Sequence, residues 1–121
     1  MNITGKSIRP FIGAKNYTVS RKFYRDLGFE EIIISDKMSY FHIDDFGFYL
    51  QDAYVKDWID NSMIFFEVSD LDATLKHVQG LALTDKHENV RLSEIVYNDW
   101  GNEFFLHDPS GILWHFGKFK A

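Results

Sequence analysis

Two stretches of this chain repeat their apolar residues at helical spacing, and most of the remainder alternates with a period of two. Val19, Phe23 and Leu27 form a stripe at i, i+4 and i+8, and Leu71, Leu75 and Val78 form a second one. Asn16 is placed to cap the first helix, and Gly28 stands where a left-handed C-cap belongs. The second helix has a capping-box-like start at Ser69-Asp70-Leu71-Asp72 and ends before Gly80. Helices are therefore expected over 16–27 and 70–79. Strands are expected over 9–13, 30–35, 39–43 and 48–51 in the first half, and over 63–68, 91–97, 103–107 and 112–116 in the second. Asp36-Lys37 and residues 85–89 read as solvated connections.

Each half thus reads strand, helix, strand, strand, strand, over about 8–52 and 62–117, and a residue-level duplication accompanies this order. Phe41 and Phe105, Asp44 and Asp108, and Gly47 and Gly111 match without a gap at a constant spacing of 64 positions. Both copies read strand, Asp-x-x-Gly turn, strand, with glycine supplying the permissive backbone. One helix can cover only one face of such a sheet, so the other face stays open unless the unit curls around something. Two units side by side would make a cup. The expected fold class is α+β: two tandem βαβββ units forming a cupped mixed sheet with helices on its outer face, in one domain spanning 1–121.

Alternation decides which side chains face that cup. Ile64, Phe66 and Val68 pack on the helices, which turns Met63, Phe65 and Glu67 inward. Phe104 and Leu106 take the helix side, leaving Glu103, Phe105 and His107 on the cup side. Ile112, Trp114 and Phe116 are core, while Leu113 and His115 look inward. Trp100 precedes a strand in a loop, where it is either a stacking platform for a planar ligand or a lid on the core. Trp58, between the halves, is expected to pack between them.

Composition narrows the function. The chain has 121 residues, enough for one core but not two, and no apolar run long enough for a membrane span. It has no cysteine, and its start lacks the basic head and apolar stretch of a signal peptide, so the expected location is the cytoplasm. A net charge of −5, without a run of Lys or Arg, argues against nucleic acid and mildly favours a cationic small molecule. Aromatic content of 17% exceeds what a small core usually requires, so some rings are available to a ligand even if most fill the core.

The element order, the helix exit Phe23-Tyr24-Arg25-Asp26-Leu27-Gly28-Phe29, the junction Phe65-Phe66-Glu67-Val68-Ser69-Asp70-Leu71-Asp72 and the turn Asp108-Pro109-Ser110-Gly111 resemble the glyoxalase/bleomycin-resistance/extradiol-dioxygenase (vicinal oxygen chelate) superfamily. The resemblance covers nearly the whole chain. Trp100-Gly101-Asn102-Glu103-Phe104 through Asp108-Pro109 to His115-Phe116 is similar to the bleomycin-resistance branch. One departure is a helix exit one residue shorter than the family's Phe-Tyr-x-x-x-Leu-Gly-Phe.

In metal-dependent members, the resemblance implies ligands on the first and fourth strands of each half. Those positions carry Arg9, Gln51 or Tyr49, Met63 and His115, and the 64-residue duplication favours Gln51 by pairing it with His115. Only His115 is a good ligand, because Gln51 is a weak donor, Met63 a soft thioether and Arg9 a permanent cation. His42, His77, His87 and His107 form no helical metal pair, and His77 and His87 are expected on the solvent side of the second helix. His107 is expected to support the turn.

No metal, cofactor or catalytic residue is therefore expected. The lining implied is Arg9, Tyr49, Gln51, Met63, Phe65, Glu67, Trp100, Glu103, Phe105 and His115. The resemblance implies a homodimeric binding protein, with a planar or cationic drug-like ligand or metabolite in an aromatic cleft between subunits and an N-terminal strand that such proteins can exchange. Pro10 fits an exchanged arm or an edge strand. The competing expectation is a lyase, isomerase or dioxygenase, either metal-dependent or using Glu67 or Glu103 beside His115 for acid–base catalysis.

Overall fold

The computed structural model describes residues 2–121, and the order of its elements follows the expected duplication. The first half contains β1 (Phe11–Gly13), α1 (Tyr17–Leu27), β2 (Glu30–Ser35), β3 (Met38–Ile43) and β4 (Phe46–Gln51). After the short α2 (Lys56–Asp60), the second contains β5 (Met63–Glu67), α3 (Leu71–Gly80), α4 (Leu83–Lys86), β6 (Arg91–Leu92), β7 (Val96–Tyr97), β8 (Gly101–His107) and β9 (Leu113–Phe119). The sheets run β1-β4-β3-β2 and β5-β9-β8-β6, with β7 also paired to β8. Parallel β1–β4 and β5–β9 pairs occupy equivalent places. Among the described residues, no helix is long and apolar enough to cross a membrane.

The caps behave as their chemistry dictates. Asn16 Oδ1 accepts the Val19 N–H, and Gly28 at φ 118° closes a Schellman motif, its N–H donating to Arg25 and that of Phe29 to Tyr24. In α3 the Asp70 carboxylate accepts the Ala73 N–H. Gly80, expected as the stop, is the last residue of α3; the left-handed position is taken by Ala82 at φ 54°. Val19 is also off its expected face. The buried face of α1 is Tyr17, Ser20, Phe23, Tyr24 and Leu27, leaving Val19 on the rim.

The expected strand over 91–97 is two short ones. Between them Ser93 uses its hydroxyl as well as its backbone, accepting the Phe105 N–H on Oγ while donating its own N–H to the Phe105 carbonyl. The last strand runs on through Gly117 to Phe119, because β8 pairs with it as far as Gly101.

One buried polar assembly joins the halves. Asp108 is fully buried, and its Oδ1 accepts the N–H groups of Ser110, Gly111 and Ile112, all at 2.9 Å. Its Oδ2 accepts the Tyr24 hydroxyl at 2.6 Å, and Tyr24 in turn accepts the Trp114 indole N–H at 3.0 Å. Burial raises the Asp108 pKa against the pull of these donors, and burial beside Asp108 pushes that of Tyr24 well up. Rings of Phe29, Phe41, Phe48 and Trp114 surround Tyr24, so the helix of the first half and the turn of the second share one core.

Two expectations about solvent are overturned by this packing. Trp58 is 73% exposed, whereas Ile59 next to it is buried against β1 near Gly13. His87 is buried rather than solvent-facing: its Nε2 lies 2.8 Å from Asp26 on α1, and its ring meets Phe23 edge to face.

Candidate functional site

Strand parity divides each sheet into a face packed under the helices and an open face. In the first sheet the open face carries Arg9, Phe11, Tyr40, His42, Tyr49 and Gln51, since Ile12, Phe41, Phe48 and Leu50 are buried on the other. Phe11 stacks on Tyr49 at 4.9 Å, and Tyr40 lies 5.3 Å from Tyr49 and 5.4 Å from His42. Arg9 sits over this floor. Its guanidinium is 4.1 Å from the Tyr40 ring centre, and its Nη1 donates to the Tyr49 hydroxyl at 3.0 Å.

In the second sheet the open face carries Met63, Phe65, Glu67, Glu103, Phe105, His107, Leu113, His115 and Phe119. His115 Nδ1 lies 2.7 Å from Glu103 Oε1, while Glu103 Oε2 accepts the Asn98 amide at 2.9 Å. A carboxylate at Nδ1 holds a ring proton on that nitrogen, and Nε2 lies 3.5 Å from the Met63 sulfur. Phe105 meets the His115 ring edge-on at 5.1 Å. Beside this dyad, Phe65, Trp100 and Phe119 form a triangle with centroids 5.3 to 5.9 Å apart. They remain 42%, 40% and 52% exposed. Trp100 is thus part of an open aromatic surface, not a lid on the core.

Register corrects the pairing drawn from the duplication. Phe11 lies opposite Tyr49 as Phe65 lies opposite His115, and Tyr40 pairs with Tyr49 as Phe105 pairs with His115. Tyr49, not Gln51, is therefore the counterpart of His115. The gapless match fails because Asp44-Asp45 makes a two-residue turn, with Asp44 at φ 50°, whereas the second turn spans 108–112. It also equates Phe41, which is core, with Phe105, which is on the open face. Arg9 with Tyr49 and Met63 with His115 are the true equivalent pairs, and each pair is in contact.

These pairs do not suit a divalent ion. Arg9 is a permanent cation, the Tyr49 oxygen already accepts from it, and Met63 offers a thioether. Among the described residues at these positions His115 is the one metal-type donor, with Glu103 beside it. Among the described residues, no group of three or more His, Cys, Asp or Glu is placed to hold a metal.

Several expected residues sit apart. Glu67 pairs in register with Gly117, two positions beyond His115. It lines an adjoining apolar groove of about 420 Å³ between the halves, with Pro10, Phe46, Phe66 and Phe65, the last shared with the triangle. Gln51 lies at the far end of β4 opposite Gly13. His107 is half-buried, with no hydrogen bond to the turn, and burial together with Arg91 and His115 lowers its pKa. Phe11, Tyr40 and Phe119 are open-face residues absent from the expected lining. The parity of Arg9 and Phe41 would have located the first two, whereas Phe119 lies beyond a glycine that reads as a strand end.

No family model matches the sequence, and no curated protein is recognisably similar to it. Solved structures are similar in fold. The bleomycin-binding protein from bleomycin-producing Streptomyces verticillus, in complex with copper(II)-bleomycin, superposes with a TM-score of 0.82 at 20% identity, covering 98% of this chain and all of that one. The bleomycin resistance determinant encoded on transposon Tn5 gives 0.80 at 14% identity, covering 97% of this chain and all of that one. Lactoylglutathione lyase from Agrobacterium tumefaciens gives 0.70 at 15% identity, covering 94% of each chain. The protein has the fold shared by glyoxalases and bleomycin-resistance proteins.

Proposed function

We propose that this chain is a member of the glyoxalase/bleomycin-resistance superfamily that binds a planar small molecule, drug-like or metabolic, without a metal of its own. The observation that carries the reading is the exposed triangle of Phe65, Trp100 and Phe119 beside the His115–Glu103 pair. Three large rings left half in water on an open sheet face form a stacking surface with polar groups at its edge, the composition of a small-molecule site. The fold's likeness to two bleomycin-binding proteins supports the same reading.

The cleft is completed by a second copy of the chain. Every ring contact between the halves uses helix-side or groove residues, such as Phe46 with Phe66 and Tyr24 with Trp114. Among the described residues, no hydrogen bond or ring contact joins the Arg9 floor to the Phe65 triangle. Each open face therefore lacks an opposing wall within its own chain.

Titration calorimetry tests the reading with planar polycyclic aromatics and a bleomycin-type glycopeptide, before and after chelator treatment. Micromolar binding that survives chelation is expected, with Trp100→Ala weakening it by about 1–3 kcal/mol, the usual worth of one stacked aromatic. No binding to any compound at high micromolar concentration overturns it. The Glu103–His115 contact favours one second reading, acid–base catalysis, and recovery of a bound compound in chemically altered form would establish that instead.

A further inference from the structure

We infer that the ligand of this cleft carries an anionic oxygen group, a carboxylate or a similar oxyanion, and that Arg9 and Tyr49 receive it. The inference rests on the binding reading above and adds the charge of one end of the ligand. Arg9 is not a loose surface cation. Its guanidinium is held over the Tyr40 ring at 4.1 Å and tied to the Tyr49 oxygen at 3.0 Å, and Tyr49 is itself stacked against Phe11. One of its five N–H donors is used there, and the rest of the fork is exposed on the open face.

The neighbouring phenol completes the receptor. Because the Tyr49 oxygen accepts from Arg9, its own hydrogen is directed elsewhere, and among the described residues it meets no acceptor. A guanidinium fork and a phenolic O–H side by side match the two oxygens of a carboxylate, which Arg recognises bidentately.

The absent counter-ion is the second observation. Arg21 and Arg25 are both paired with Glu31, at 2.7 and 2.9 Å. Arg9 has no carboxylate within ion-pair distance among the described residues, in a chain where acids outnumber bases by 18 to 13. The acids of the open faces are placed elsewhere: both oxygens of Glu103 are occupied by His115 and Asn98, Glu30 faces His42, and Glu67 lines the groove without pairing to Arg9. Net charge would favour a cation at long range, but at contact distance the group that meets the ligand is an unpaired guanidinium.

Three probes that share one ring system and differ in charge decide the matter: 1-naphthoate, 1-naphthamide and 1-naphthylmethylamine, titrated calorimetrically into the full chain at low and moderate salt. The naphthoate is expected to bind about tenfold tighter than the amide, the scale of one charge-assisted hydrogen bond. Arg9→Gln should bring that ratio close to one, Arg9→Lys should restore part of it, and added salt should reduce it. Equal binding of naphthoate and amide, tighter binding of the amine, or a preference that persists in Arg9→Gln overturns the inference while leaving the binding cleft standing. Failure of all three probes to bind also overturns the inference, and the binding reading falls only when the planar polycyclics and the glycopeptide fail as well.

Discussion

Glu31 shows how one side chain can fasten a helix to a sheet. It accepts Arg21 Nε at 2.7 Å, Arg25 Nη1 at 2.9 Å and the Ser39 hydroxyl at 2.6 Å, so two consecutive turns of α1 and strand β3 meet on one carboxylate of β2. Burial alone would raise its pKa, but the donors from Arg21, Ser39 and Arg25 outweigh burial and hold it at about 2. A carboxyl with a depressed folded pKa contributes stability that is fully present above its unfolded value and lost as pH falls toward the folded one. Glu31→Gln is therefore expected to cost about 3 kcal/mol at pH 7, with the gap to the parent protein closing between about pH 4.5 and pH 2. Denaturant unfolding across that range checks this; a gap independent of pH would refute it. None of these partners could be paired from the sequence, since the contacts of Glu31 depend on how α1 lies across β2 and β3. His87 and Trp58 were misplaced for the same reason, because local pattern carries polarity and not which neighbouring element arrives.

Two glycines show how strands fit together within the elements. A Cβ on Gly47 in β4 would lie 2.2 Å from the Phe41 carbonyl oxygen, which is backbone and cannot step aside. A Cβ on Gly117 in β9 would lie 2.5 Å from Cζ of Phe65, the far end of a side chain that can rotate. Gly47→Ala is accordingly expected to destabilise by about 1–3 kcal/mol, the usual cost of overpacking. Gly117→Ala should cost much less in melting temperature but lift Phe65 out of the aromatic triangle and weaken ligand binding. Equal losses of stability in the two variants would contradict this account of how Phe65 is seated. Strand faces were legible in the second half, where polar and apolar residues alternate around Ile64, Phe66, Phe104 and Trp114. Register was not legible, because a two-residue turn in one half and a longer one in the other shift the match between copies. That shift replaces Gln51 by Tyr49.

At the scale of the whole molecule, the open faces leave large apolar groups in water. Met63 is 66% exposed, and Phe11, Ile32, Phe65, Val96, Trp100 and Phe119 are also exposed. Ile32 pairs in register with Tyr40 and so shares its face, outside the proposed ligand contacts. A stable interface of roughly 800 Å² per partner would cover this surface and give each open face its missing wall. The protein is expected to sediment as a dimer at tens of micromolar, and Ile32→Asp to shift it toward monomer with loss of ligand binding. A parent chain that remains monomeric at high concentration yet binds planar ligands would contradict this arrangement.

Element order, the helix caps at Asn16, Gly28 and Asp70, the α+β duplication and the open-face positions of Met63, Phe65, Glu103 and His115 were all legible in the local pattern of residues. These follow from period, turn chemistry and parity, all of which act over a few neighbouring residues. Tertiary structure alone decided that Asp108 of the second half would be bonded to Tyr24 of the first, that Glu103 rather than Glu67 would reach His115, and that Arg9 would rest on Tyr40 beside Tyr49 without an acid. Such contacts depend on register and on the packing of elements distant in the chain. They are set by the three-dimensional fit of whole faces, which no local pattern encodes.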